Sequence, residues 1–371
     1  MQRYGLAMQR AMLFVAAILL AGAVAADDCT AVPIDPSPAP IAWRLPLASD
    51  VRIVGDAVFV GTAEQLQKLD LSTGKAFWTY RFKEEYVPKF AVLADRVAVA
   101  RDDHYVVFLN LADGKEVKRT DAGEWIRFLT GPPLLAITQA TDASESRLIR
   151  LSESGTILAT RPIPRATDVL MIGNVAAVES KRGVADPDHE VMTGYDLSTL
   201  QALWSEKSGT FNKQVIGDHL YLGDIFWSEG AKAIDPATGA IDALVPTREP
   251  YKIGGSKEFD LQVVTSTWTG AWSPDFATCE GLRRNDATTA KVLWQTDVPF
   301  GVSGTLRDGA RLYVAGSLDP DHRYLLTVDW NTGKVEACWS GVPKLSRLQR
   351  AGDWILGYDR DAELVAIRVP K

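Results

Sequence analysis

The stretch DLSTGKAFW, residues 70–78, sets an Asp, a Thr-Gly pair, a Lys and a Trp within nine positions, and variants of it return down the chain. Aligned on the glycine position they are NLADGKEVK at 110, LSESGTILA at 151, DLSTLQALW at 196, DPATGAIDA at 235, DATTAKVLW at 286 and DWNTGKVEA at 329. A period of about 40 to 50 residues marks a repeat architecture in which one supersecondary unit recurs. Ahead of the tags run short segments with apolar residues at alternate positions, as in VRIVGD, AVFVGT and QLQKLD, which is the period of strands and not of helices. Three strands before each tag and one after it make a four-stranded blade, and a radial array of such blades is a β-propeller. The predicted fold is all-β: an eight-bladed β-propeller of four-stranded antiparallel blades over residues 42–371.

The tag itself reads as scaffold. An Asp at a strand end accepts hydrogen bonds from turn amides, Thr does so more weakly, and Gly supplies the positive φ of a tight turn. The Trp opens the outer strand and packs against the neighbouring blade. A chemical role would not need repeating in every blade. Several tags depart from the pattern: Leu200 and Ala290 replace the Gly, Ala243 and Ala337 replace the Trp, and the third tag keeps only its Gly155, so those blades are expected to have looser turns or corners. Seven tags and eight blades are reconciled at the chain ends. LQRAGDWILGYDRDAELVAIRVPK, residues 348–371, supplies three strands and stops, while APIAWRLPLA, residues 39–48, offers a lone strand with Trp43 near its start. Residues 42–48 are expected to complete the last blade and leave no open sheet edge.

Residues 1–25 place Arg3 and Arg10 ahead of one apolar run ending in Ala23-Val24-Ala25, the pattern of a secretory signal peptide, and 26–41 form an N-terminal extension. The apolar run is about 15 residues, short of the roughly 20 a membrane span requires. Cys29 follows Ala26-Asp27-Asp28, which is not a lipidation context, so a periplasmic or secreted protein without membrane insertion is expected. The whole chain carries a net charge of −7, and loss of the leader's two arginines makes the remainder more acidic, which argues against nucleic acid or anionic lipid as the main partner.

The tags resemble the repeats of the pyrroloquinoline quinone (PQQ)-like propeller family, over nearly all of residues 42–371. That family holds quinone-dependent dehydrogenases and non-catalytic scaffolds, among them the propeller lipoprotein of the outer-membrane β-barrel assembly machinery. The resemblance implies, for the dehydrogenases, a disulfide between adjacent cysteines under the quinone and a calcium ion held by acidic and amide side chains beside a catalytic Asp. Here the three cysteines, Cys29, Cys279 and Cys338, are not neighbours, and no C-x-x-C-H haem attachment is present. PQQ and calcium are therefore not expected, and a non-catalytic binding or scaffold protein is the first reading, with a quinoprotein oxidoreductase as the alternative. Of the histidines, His104, His189 and His322 sit in DDH and DPDH turns of separate blades, and His219 is the fourth; Asp and His are metal-ligand types, but these dipeptides are ordinary turn formers.

Recognition is left to loops and channel. Two adjacent blades carry aromatic turns between their second and third strands, GDIFWSEG at 223–230 and TSTWTGAWSPDFATCEG at 265–281. Phe226, Trp227, Trp268, Trp272 and Phe276 either form one exposed patch for a partner, another envelope protein or peptide, or fold over and pack on themselves. Near the starts of the innermost strands stand Arg52, Lys89, Arg127, Lys213, Lys252, Arg347 and Arg350, a basic ring suited to a small anionic ligand or acidic peptide, with Glu84, Glu85 and Asp168 close enough to neutralise part of it. Strand placement favours a disulfide between Cys29 and Cys338 with Cys279 free, against the alternative of three reduced thiols.

Overall fold

The computed structural model describes residues 36–82, 89–100, 104–139, 145–181, 190–207, 212–216, 218–223, 231–245, 261–265, 280–285, 292–298, 300–319, 321–359 and 362–369. They form eight sheets built on antiparallel meanders, and no helix occurs among them. Blades 1 to 7 span 50–81, 89–121, 125–164, 166–207, 212–245, 261–298 and 301–340; blade 8 combines 347–368 with 41–48. Three strands of blade 6 lie among the described residues. The meander puts the first and third turns of each blade, the latter being the tag, at one end, and the second loop with the blade entry at the other.

Ile41–Ala48 pairs antiparallel with Ala362–Arg368, so the N-terminal strand completes blade 8 as expected. The extension goes one step further than its sequence suggests: Ser37–Pro38 adds to blade 7 as a fifth, parallel outer strand. The core lies in the joints between blades. Clusters join blade 1 to 2, 2 to 3, 3 to 4, 4 to 5, 6 to 7 and 7 to 8. Ala48, Val51, Val58, Leu69, Leu356 and Leu364 join blade 8 back to blade 1, which closes the ring.

The tag chemistry is visible bond by bond. Asp70 accepts from the Thr73 amide at 2.8 Å, the Thr73 hydroxyl at 2.8 Å and the Ser72 hydroxyl at 2.7 Å, and Asp329 repeats this with Thr332. After the turn the outer strand opens with a β-bulge whose extra residue, such as Phe77, Leu203 or Leu293, is exposed, and whose next residue, the Trp, swings into the joint. That Trp docks on the following blade's tag. Trp78 Nε1 donates to the Leu111 carbonyl at 3.1 Å while its ring lies where a Cβ on Gly114 would stand, 2.6 Å away. Trp43, Trp204 and Trp294 do the same at Gly74, Gly239 and Gly333. Glycine is thus required twice over, for φ near +70° and for room to seat the indole.

The Leu200 exception is compensated, which corrects the expectation of a loose turn there. In the blade 3–4 joint Ala159 stands at the Trp position and Leu200 at the Gly position. Leu200 adopts φ 57° all the same, its amide bonds the Asp196 carbonyl at 2.7 Å, and its side chain is 2 % exposed within the cluster that Ala159 packs against. The volume a Trp would bring from one blade is supplied by a Leu from the other. In the blade 2–3 joint Lys118 replaces the Trp and Phe108 covers Gly155. The Ala290 turn and the Ala243 side chain lie outside the described residues.

Candidate functional site

The aromatic residues Phe226, Trp227, Trp268, Trp272 and Phe276 lie outside the described residues, as do Lys252, Glu84 and Glu85. The strands His219–Gly223 with Ala231–Ile234, and Leu261–Thr265 with Glu280–Asn285, pair with each other and flank the two turns in consecutive sheets.

The basic residues divide by what surrounds them. Arg52 pairs with Asp50 at 3.5 Å. Burial raises the Asp50 carboxyl above its ordinary value, partly offset by Arg52 and Arg347. Lys213 of blade 5 reaches into blade 4, where its ammonium meets Asp168 at 3.1 Å and Glu179. Arg347 lies over the Tyr358 ring, 5.8 Å from its centre. Lys89 donates to the Ile126 carbonyl at 3.3 Å and covers Trp125 at 5.3 Å. Arg350 corrects the sequence reading: it sits fourth in Arg347–Ala351, at the tag end of blade 8, where it meets Asp308 at 3.0 Å, the Gly352 carbonyl at 2.9 Å and the Tyr313 hydroxyl. It therefore belongs to the opposite mouth from the other five.

Arg127 differs from these. A register slip between Ile126 and Phe128 makes it the extra residue of a bulge in the innermost strand of blade 3. One guanidinium nitrogen donates to Gln139 Oε1 at 2.9 Å, and the guanidinium lies 5.5 Å from the centre of the Phe128 ring. Burial first, then the charge of Arg165, hold its pKa below the usual arginine range, with Asp168 opposing. The buried polar side chains concentrate in blades 3 and 4: Thr138, Gln139, Ser146, Glu179, Ser180 and Thr193 are buried, leaving Thr327 as the other buried polar side chain among the described residues. Those of blades 3 and 4 are bonded: Thr138 donates to Glu124 at 2.9 Å, Arg147 pairs with Glu124, and Thr167 donates to Glu179 at 3.0 Å. Sequence reasoning missed Trp125, Gln139 and Arg165. The available signal for Arg165 was its place after Pro164, where the connector meets the innermost strand of blade 4.

Cys338 is a free thiol, 6 % exposed in the blade 6–7 joint, and burial pushes its pKa up to about 11. Cys29, its expected partner, and Cys279 lie outside the described residues. His322 closes its turn on Asp319, whose carboxylate takes the Asp321 and His322 amides at 2.8 Å and His322 Nδ1 at 2.7 Å. His219 is not in a turn but begins the second strand of blade 5. No group of three His, Cys, Asp or Glu with metal-site geometry occurs among the described residues.

The family model described as outer membrane protein assembly factor BamB matches residues 35–243, more than half of the chain. The chain belongs to that family. BamB from Moraxella catarrhalis is similar in structure at a TM-score of 0.58 and 12% identity, covering 88% of this chain and 97% of its own. Sqt1 from Saccharomyces cerevisiae gives 0.61 at 12% identity over 90% and 100% of the two chains. The quinohemoprotein alcohol dehydrogenase from Comamonas testosteroni gives 0.59 at 12% identity, over 89% of this chain and 77% of its own. At such identities the likeness is one of fold. No curated protein sequence matches the chain. Among the described residues no helix is long and apolar enough to cross a membrane.

Proposed function

We propose that this BamB-family propeller is a non-catalytic binding and scaffold protein of the bacterial envelope, working in the assembly of outer membrane proteins. The observation that carries the reading is the family match over residues 35–243. The tags support it from the other side, because their Asp, Thr, Gly and Trp are consumed in turns and joints and leave no repeated group for chemistry. The protein acts from the periplasm, or secreted, through another envelope protein or peptide. The aromatic turns with Phe226, Trp227, Trp268, Trp272 and Phe276 are the contact region, since large aromatic side chains dominate interface hot spots.

Affinity capture from native envelopes tests this. Wild-type protein should retain components of outer membrane protein assembly or their substrates, and the double change Trp227→Ala, Trp272→Ala should lose them while the ring stays folded. Capture unchanged in the double variant rejects the contact region. A tight optical complex on adding PQQ and calcium ions would replace the scaffold reading with the quinoprotein one.

A further inference from the structure

We infer that Arg127 and Arg165, together with Gln139, form an oxyanion-binding subsite at the entry-end mouth of the channel between blades 3 and 4. The ligand chemistry is a carboxylate or a phosphate. The inference does not depend on the assembly role, since it rests on the balance of charges at this mouth.

Several cations at this mouth stand beside a carboxylate, Arg347 bearing on Asp50 by charge. Arg52 has Asp50, Lys213 has Asp168 and Glu179, and Arg147 has Glu124. Among the described residues no carboxylate forms an ion pair with Arg127 or with Arg165. Asp168 lies within Coulombic range of Arg127, but its two oxygens are engaged by Lys213 at 3.1 Å and by the Val169 amide at 2.8 Å. The innermost strands of blades 3 and 4 are in contact, and Arg165 directly precedes the second of them. Arg127 is partly buried, and Arg165, exposed at the entry of the next blade's innermost strand, bears on it as a like charge, an arrangement an anion relieves.

The bulge at Arg127 takes it out of the regular pairing with the second strand, which is how bulges re-aim a side chain. Gln139, only 6 % exposed, fixes one nitrogen of the guanidinium and Phe128 lies against it. A guanidinium has five donors in a rigid fork, and one bond to Gln139 leaves most of them for a bidentate partner. Trp125, two residues earlier and 41 % exposed under the Lys89 ammonium, borders the site with an aromatic surface and a further positive charge.

The test is calorimetric titration at low ionic strength with two probes, a hexaglutamate peptide and inorganic pyrophosphate, on the full chain and on Arg127→Gln, Arg165→Gln and Arg52→Gln. Wild type should bind at least one probe, and the affinity should fall as salt is added. Arg127→Gln and Arg165→Gln should each weaken it at least tenfold, about 1.4 kcal/mol. Arg52→Gln, at the same mouth with the same formal charge but already paired, should change it less than about twofold, about 0.4 kcal/mol. Binding of the peptide with weak or no binding of pyrophosphate assigns the site to an acidic segment of a protein; the reverse assigns it to a phosphate. Without ligand, Arg127→Gln should melt no lower than wild type, because it removes a repulsion. No binding of either probe, or equal losses in Arg52→Gln and Arg127→Gln, overturns the subsite.

Discussion

Transplanting the blade 3–4 joint into the blade 1–2 joint tests the docking of tag tryptophans most sharply. Trp78→Ala removes an indole that is buried against Gly114 and bonded to the Leu111 carbonyl at 3.1 Å. Such truncations cost about 3 to 5 kcal/mol. Gly114→Leu alone is doubly unfavourable: a non-glycine residue at φ +70° costs about 1 to 2 kcal/mol, and a Cβ placed 2.6 Å from the indole adds overpacking of about 1 to 3 kcal/mol. Together the two changes recreate the Ala159 and Leu200 arrangement, in which the leucine fills the space the tryptophan leaves. The overpacking then disappears and part of the cavity is filled. A double-mutant cycle by urea unfolding should therefore show the pair less destabilising than the sum of the singles by about 1 to 3 kcal/mol. Additive effects, within about 0.5 kcal/mol, would refute the reciprocal exchange of volume across the joint.

Three further outcomes follow from individual contacts. Trp43→Ala removes the 2.8 Å bond to the Leu71 carbonyl and the packing on Gly74 at the ring closure, so limited proteolysis should cut near 41–48 and stability should fall by about 3 kcal/mol or more; an uncut, equally stable variant contradicts the closure. The Cys338 thiol, with its pKa near 11, should resist iodoacetamide in the native protein at neutral pH, and its labelling rate, followed by mass spectrometry, should climb toward pH 11; a Cys29–Cys338 cross-link in non-reducing peptide maps would instead show the pairing that its sequence position suggests. The tag carboxylates Asp70, Asp196 and Asp329 are held below their ordinary value of 3.8, mainly by hydroxyl and amide donors of the turn. Their contribution is present above pH 3.8 and is lost as pH falls through the lowered values, while Asp50, shifted the other way, acts oppositely. Thr73→Val and Thr332→Val together should make stability less sensitive to acid, read as a shallower fall in melting temperature below about pH 4.

The propeller was legible because its period is written in residues with one structural duty each. Asp70, Thr73, Gly74 and Trp78 announce the turn and the joint, and Trp43 announces the strand that closes the ring. Less legible was what depends on two blades at once. Leu200 reads as a looser turn until Ala159 is seen across the joint, and Ser37–Pro38 reads as part of an N-terminal extension until it pairs with the outer strand of blade 7. The basic ring was visible as composition, but its electrostatics depend on partners that sequence does not rank. Lys213 is neutralised from the neighbouring blade, Arg350 lies at the other mouth, and Arg127 has a like charge beside it in Arg165, a residue outside the strand pattern.

The assembly role is tested most directly by deleting the gene in its native host and measuring how much of the outer membrane β-barrel protein reaches the folded, heat-modifiable form. Deletion should lower that fraction, wild-type protein should restore it, and the Trp227→Ala, Trp272→Ala variant, produced at the same level, should not. Barrel folding that is unchanged by the deletion would contradict the role.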